Sequence, residues 1–250
     1  MFYHSVNRTL KYFIKPQKKK KMNYDKTFDQ QLLKTKGINP NWLPFIGIDY
    51  KKNENKILVI GESCYLNDIV NINQEDYIKK LIEAQGLKKG WYATGDESEH
   101  TIDPRHKKLE KILSVDPENI ECKREFWSKA AYYNLIQTAL ESRDTKDRPH
   151  FLLYLSGWEV LFQILKIMKP KYCVMNGVES FNHCHEKPAE LNGFMIKEKI
   201  RFEKIGNTYP RKIILENTIS GDNIKLLFIK HTSLPMDPEP WQRFIKSKII

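Results

Sequence analysis

Apolar and polar positions alternate in blocks along this chain, and the blocks read as strands and helices in turn. Lys56 to Ile60 is a short apolar run, β-branched at three positions and closed by Gly61. Such a run predicts a strand buried on both faces, as in a parallel sheet. Tyr172-Cys173-Val174-Met175 is a second run of this kind, followed by Gly177. Between them, Val160, Leu161, Ile164, Leu165, Ile167 and Met168 recur at helical spacing until Pro170 stops the helix. Ser156 and Glu159 have the spacing of a capping box at its start. Strand, helix and strand in this order predict a βαβ unit with a parallel sheet and a right-handed crossover.

The remaining blocks extend the pattern. Tyr24 to Lys36 predicts a helix with Phe28, Leu32 and Leu33 on one face and Gly37 as its stop. Asp76 to Gln85 predicts another, and Gly90 to Thr101 a long polar loop. Glu125 to Leu140 reads as an aromatic helix leading into a buried segment that contains Asn134. Phe194 to Phe202 predicts an edge strand. Ile213 to Glu216 and Ile224 to Ile229 predict two strands joined by the turn Ser220-Gly221-Asp222-Asn223. Trp241 to Ile250 closes the chain as a helix. No internal repeat appears after residue 22, which predicts a single domain over 23–250.

Composition changes this picture at the N-terminus. The chain carries 42 basic and 31 acidic residues, a net +11. Residues 1–22 hold Arg8 and six lysines with no acid, leaving 35 basic against 31 acidic residues over 23–250. The body is therefore mildly basic, compatible with a polyanionic partner without demanding one. Three readings of the leader stand: a disordered extension ahead of a natural start at Met22, a basic arm for nucleic acid, or a targeting leader. The first is preferred.

Cys64, Cys122, Cys173 and Cys184 are scattered without a CxxC. This argues against a structural zinc or an iron–sulfur site and fits a reducing compartment. Cys173, inside an apolar run, is expected to be a core thiol. His183, Cys184 and His185 are metal-ligand types in one short segment without a second ligand pair, so no metal is expected. His100 and His106 are expected to be solvated. No apolar stretch approaches the ~20 residues of a membrane span, and no secretory signal is apparent. A cytoplasmic protein (on the nucleoid, if bacterial) is expected.

Three polar residues stand at the ends of buried segments: Glu62 after the first strand, Asn134 in the aromatic segment, and His231 after Leu226-Leu227-Phe228-Ile229. Strand ends of a parallel sheet converge on one rim, where ligand chemistry gathers. A carboxylate, an amide and an imidazole there can orient water, read a planar hydrogen-bonding edge and stabilise a developing anion. A structural Asn134 satisfied by backbone is the plainer alternative.

These motifs resemble the uracil-DNA glycosylase superfamily. Its first motif is GQDPYH in one branch and GEAPG in another. Here it is Gly61-Glu62-Ser63-Cys64-Tyr65, in which Glu62 matches the GEAPG carboxylate and Tyr65 the GQDPYH tyrosine. The mid-chain Asn motif resembles Tyr132-Tyr133-Asn134-Leu135-Ile136-Gln137-Thr138. The final His-Pro-Ser is similar to His231-Thr232-Ser233. Ser156 to Gly177 resembles the intervening helix and strand of the less characterised GESHY-type branch. The likeness covers residues 45–250 and keeps the motif order.

The resemblance implies a three-layer α/β/α sandwich with a four-stranded, mainly parallel central sheet. It implies hydrolysis of the N-glycosidic bond of uracil or another modified base flipped out of DNA. Glu62 would activate water and His231 would donate to the departing base. Asn134, Tyr65 and Ser63 would contact the base, and Ser233, with Lys230 and Arg211, would hold phosphate. DNA is the implied partner, no metal or organic cofactor is implied, and a monomer without membrane attachment is expected. Ser63 stands in place of an Asp, Thr232 in place of a Pro, and the iron–sulfur cysteines are missing, departures that bear on the substrate more than on the fold. An inactive nucleic-acid or nucleotide-binding member of the fold is the alternative. A third class is an unrelated doubly wound enzyme using Glu62 and His231 on a small substrate.

Overall fold

The computed structural model describes residues 25–38, 43–65, 104–140, 149–177 and 185–249. The expected helix at Asp76 to Gln85, the loop at Gly90 to Thr101, the leader, His100, His183 and Cys184 lie outside them.

Within the described residues the elements run α1 (Asp29–Leu32), β1 (Phe45–Ile46), β2 (Ile57–Gly61), β3 (Cys64–Tyr65), α2 (Pro104–Ile112), α3 (Ile120–Lys129), β4 (Ala130–Asn134), β5 (Ala139–Leu140), α4 (Phe151–Met168), β6 (Tyr172–Asn176), α5 (Glu186–Leu191), β7 (Phe194–Arg201), β8 (Arg211–Asn217), β9 (Asn223–Ile229) and α6 (Pro238–Ile249). The fold is mixed α/β. Seven strands form one sheet in the order β1-β4-β2-β6-β9-β8-β7, and β3 pairs with β5 in a separate ribbon.

Strand β2 pairs in parallel with both β4 and β6, and β6 pairs in parallel with β9. β1 adds to β4 antiparallel, and β8 and β7 continue from β9 as an antiparallel meander. The sheet thus has seven strands where the resemblance implied four. The connections after β7 and β8 are shorter than the dozen or more residues a parallel crossover needs, so these strands fold back antiparallel, and β1 adds at the other edge.

Alternation along the strands divides the core into two. Leu58, Ile60, Tyr133, Cys173, Met175, Leu226 and Phe228 pack with α1 and α4. Val59, Ala130, Val174, Leu227 and Ile229 pack with α2, α3 and α6, around Leu109, Trp127 and Trp241. Helices therefore cover both faces, because each strand of the parallel stretch is apolar on both.

Two helical expectations change. Only Asp29–Leu32 of the first predicted helix is α-helical, and the chain then tightens through 3₁₀-type bonds from Lys34 and Thr35 to Gln31 and Leu32. Helix α4 starts at Phe151 behind His150, so Ser156 is not its cap. The Ser156 hydroxyl instead donates to the Leu153 carbonyl, 3.2 Å away. Ahead of Ser156, Tyr154 already belongs to the buried stripe, whereas Phe151 and Leu152 are exposed. Gly157 marks a crossing rather than a helix start: a Cβ there would lie 2.6 Å from the Leu135 carbonyl oxygen. Helix α4 has the length and apolarity of a membrane span. Here Tyr154, Trp158, Leu161 and Leu165 are buried against the sheet.

Candidate functional site

The parallel strands β4, β2, β6 and β9 end side by side. Gly61 is in register with Asn134, and Asn176 with Ile229. This rim holds the polar residues singled out from the sequence.

At the β2–β4 seam the ladder runs past the strand ends. The Leu135 N–H donates to the Gly61 carbonyl and the Ile136 N–H to the Glu62 carbonyl, each at 2.9 Å. Any side chain at Gly61 would have to displace its neighbours. A Cβ would lie 2.3 Å from the Tyr132 hydroxyl and 2.5 Å from Asn134 Oδ1. The Tyr132 hydroxyl donates to Asn134 Oδ1 at 2.9 Å, and Gln137 Nε2 donates to the Asn134 carbonyl at 3.0 Å. The side-chain amide is thus held from its own strand, and the turn after it holds the Asn134 main chain.

Glu62 is buried, with 4% of its surface exposed. Its carboxylate accepts a hydrogen bond from the Tyr154 hydroxyl of α4. Tyr154 belongs to the core face of α1 and α4, whereas Tyr132 packs on the face of α2, α3 and α6. Glu62 and Asn134 therefore meet through their main chains, while their side chains leave the sheet on opposite faces.

Asn176 ends β6, and its side chain builds the other half of the rim. Its Oδ1 accepts from the Thr232 N–H at 3.1 Å, and its Nδ2 donates to the Thr232 hydroxyl at 3.2 Å. Thr232 is buried, and the turn closes when the Leu234 N–H donates to the His231 carbonyl at 3.0 Å. The His231 ring lies on Gly177, whose φ is +79°. A Cβ there would stand 2.2 Å from His231 Cδ2. The Ser233 N–H donates to His231 Nδ1 at 3.1 Å, and the Ser233 hydroxyl also bonds that nitrogen. A ring nitrogen that accepts a main-chain N–H carries no proton, so the proton of the neutral imidazole sits on Nε2 as a donor.

The other predicted residues are placed as follows. The Ser63 hydroxyl is buried and has no hydrogen-bond partner. Tyr65 lies in β3, in register with Leu140. Lys230 Nζ donates to the Pro235 carbonyl at 2.8 Å, bracing the loop that follows His231. The Arg211 guanidinium lies 5.0 Å over the Phe228 ring, at the carboxyl end of β9. His106 is half-buried in α2, and His185 is buried beside the Trp158 ring, with the ring centroids 5.4 Å apart. Among the described residues, no three His, Cys, Asp or Glu side chains gather as a metal-ligand set. Burial pushes the Cys173 thiol far up, as suits a core thiol.

No family model matches the chain, and no curated protein matches it.

Tyr154, Asn176 and Thr232 escaped the sequence reading. Asn176 had a signal: it follows an apolar strand and stands next to a glycine, as Glu62 does. Tyr154 had none, since one tyrosine in an apolar helix reads as core.

Proposed function

We propose that the protein is a uracil-DNA glycosylase-like hydrolase that cleaves the N-glycosidic bond of uracil or another modified base flipped out of DNA. In this reading β4-β2-β6-β9 is the parallel centre of a three-layer α/β/α sandwich, and β1, β8 and β7 are additions at its edges. The single observation that supports it most is the setting of His231: an imidazole at the carboxyl end of β9 whose Nδ1 accepts the Ser233 N–H, making Nε2 a fixed donor on the rim shared with Asn134 and Glu62.

The chemistry follows from what each group can do. As the bond between the sugar C1′ and the base nitrogen breaks, its electron pair stays with the base, and charge spreads to an exocyclic carbonyl oxygen of the base. A preset N–H aimed at that oxygen stabilises the departing anion at no reorganisation cost. Glu62 takes a proton from the water as its oxygen bonds to C1′, that proton balances the anionic base that leaves, and Tyr154 fixes the carboxylate's direction. The products are a free base and an abasic sugar. In this reading Asn134 and Ser63 would contact the base edge, and Lys230 and Arg211 would contact phosphate. The protein would act on DNA as a cytoplasmic monomer, in base-excision repair.

The second reading, a DNA- or nucleotide-binding protein without catalysis, is favoured by one specific observation. The Glu62 carboxylate is engaged by Tyr154 on the face opposite to the Asn134 side chain. The two readings separate in an assay for free base released from labelled oligonucleotides carrying uracil, hypoxanthine, xanthine or hydroxymethylated bases. Release that is lost in Glu62→Gln supports the hydrolase. Tight binding without release from any member supports the second reading.

A further inference from the structure

The antiparallel meander at the sheet edge carries a feature that the rim chemistry does not use. β7 and β8 are joined by residues 202–210, closed by a bond from the Phe202 N–H to the Pro210 carbonyl at 2.9 Å. Arg211 opens β8 in register with Phe228, three positions before His231. The hairpin tip therefore projects beyond the carboxyl end of β9, on the edge where His231 stands.

Along this edge the cations are handled in two ways. Lys197 pairs with Glu216 and Lys212 with Glu198, each at 3.3 Å, and Lys199 pairs with Glu186. Towards the rim the pattern reverses. Arg201 and Lys204 are exposed and make no ion pair with a carboxylate among the described residues. Arg201 is also the direct cross-strand partner of Arg211.

Tyr209 organises the patch. Its ring centroid lies 3.5 Å from the Arg201 guanidinium carbon and 5.0 Å from Lys204 Nζ. A guanidinium stacked on a ring is already ordered, so less side-chain freedom is lost when it binds phosphate. Lys248 Nζ, 4.5 Å over Phe202, extends the positive strip onto α6.

We propose that the β7–β8 hairpin is a strand-holding surface, in which Arg201 and Lys204 take the phosphodiester backbone of a nucleic acid whose base reaches the rim. The proposal rests on the DNA reading for the identity of its ligand. The occupant follows from charge: repeated, singly charged phosphates suit a row of fixed cations, and the row is continuous with the end of β9.

The test is the salt dependence of binding. The full chain is titrated against undamaged, labelled single-stranded and duplex oligonucleotides over a range of salt, with anisotropy as readout. Each phosphate contact contributes ~0.7 to ~0.9 to the slope of log affinity against log salt. Arg201→Ala with Lys204→Ala is expected to reduce that slope by ~1.4 to ~1.8. Lys197→Ala with Lys199→Ala, on the paired part of the same edge, is expected to leave it unchanged. An unchanged slope in the first double variant overturns the proposal. So does loss of binding to phosphatidylserine vesicles with oligonucleotide binding intact. If the wild-type protein releases no base yet the slope falls as expected, the hydrolase reading fails and the surface stands. Base release together with an unmoved slope gives the converse.

Discussion

The Tyr154 hydroxyl donates to the Glu62 carboxylate across the seam between helix α4 and the end of β2. Both residues are buried, Tyr154 at 1% and Glu62 at 4% exposure. A carboxylate taken out of water requires such a donor. Tyr154→Phe removes it without altering the packed ring and is expected to cost ~2 kcal/mol of stability, the scale for a hydrogen bond to a charged group. Glu62→Gln keeps an accepting oxygen and should cost less. Urea denaturation of the two variants checks the order, and equal stability of Tyr154→Phe and wild type would refute it.

The His231 turn depends on Asn176. Asn176→Ala leaves the buried Thr232 N–H and hydroxyl without their partner, for an expected loss of ~1 to ~3 kcal/mol. Asn176→Asp retains the acceptor for the Thr232 N–H and should recover part of the loss. Thermal unfolding measures both, and base release should fall with Asn176→Ala because the imidazole is no longer set.

Gly177→Ala tests the contact beneath the ring. The added methyl would stand 2.2 Å from His231 Cδ2 at a φ of +79°. Left-handed backbone and a displaced ring together should destabilise by ~1 to ~3 kcal/mol. A variant as stable as wild type would mean that His231 does not lie on Gly177.

A buried pair between α2 and α3 sets a pH dependence. Glu110 and Lys123 are 3% and 4% exposed, with Lys123 Nζ 3.8 Å from Glu110 Oε2 and Trp127 Nε1 donating to Oε1 at 3.2 Å. Burial raises the Glu110 carboxyl above its ordinary value, with Lys123 and Trp127 opposing. A raised folded-state pKa contributes stability that is present below the ordinary glutamate value and is lost as pH rises through the raised one. Lys123→Met removes the opposing charge. It should cost ~3 kcal/mol or more at neutral pH, and less at acid pH, where the carboxyl is protonated. Adding Glu110→Gln, which keeps an acceptor for Trp127, should restore most of the loss at neutral pH. Denaturation of the single and double variants across pH decides the point, and a loss independent of pH would contradict it.

Much of the fold was legible because burial on both faces leaves continuous apolar runs. β2, β6 and β9 are such runs, and each ends near the polar residue that marks the rim. The start of α4 misled because Ser156 and Gly157 resemble a helix start when read locally. Gly157 is in fact required by Leu135, which crosses it from a different element. The same limit hid Asn176, whose partner Thr232 is 56 residues away. The rim's main-chain order could be read from motif order. The directions of its side chains could not, because a shift of one residue from Gly61 to Glu62 moves a side chain to the opposite face.

The most direct test of the rim chemistry is single-turnover base release by wild type and His231→Ala, on whichever oligonucleotide of the panel yields free base. A fixed donor to the departing base should be worth ~10² to ~10³ in rate. The expected result is a loss of that size in His231→Ala, with its melting temperature held near that of wild type. No base released by wild type, or release at an undiminished rate in the variant, would contradict a glycosylase built on this rim.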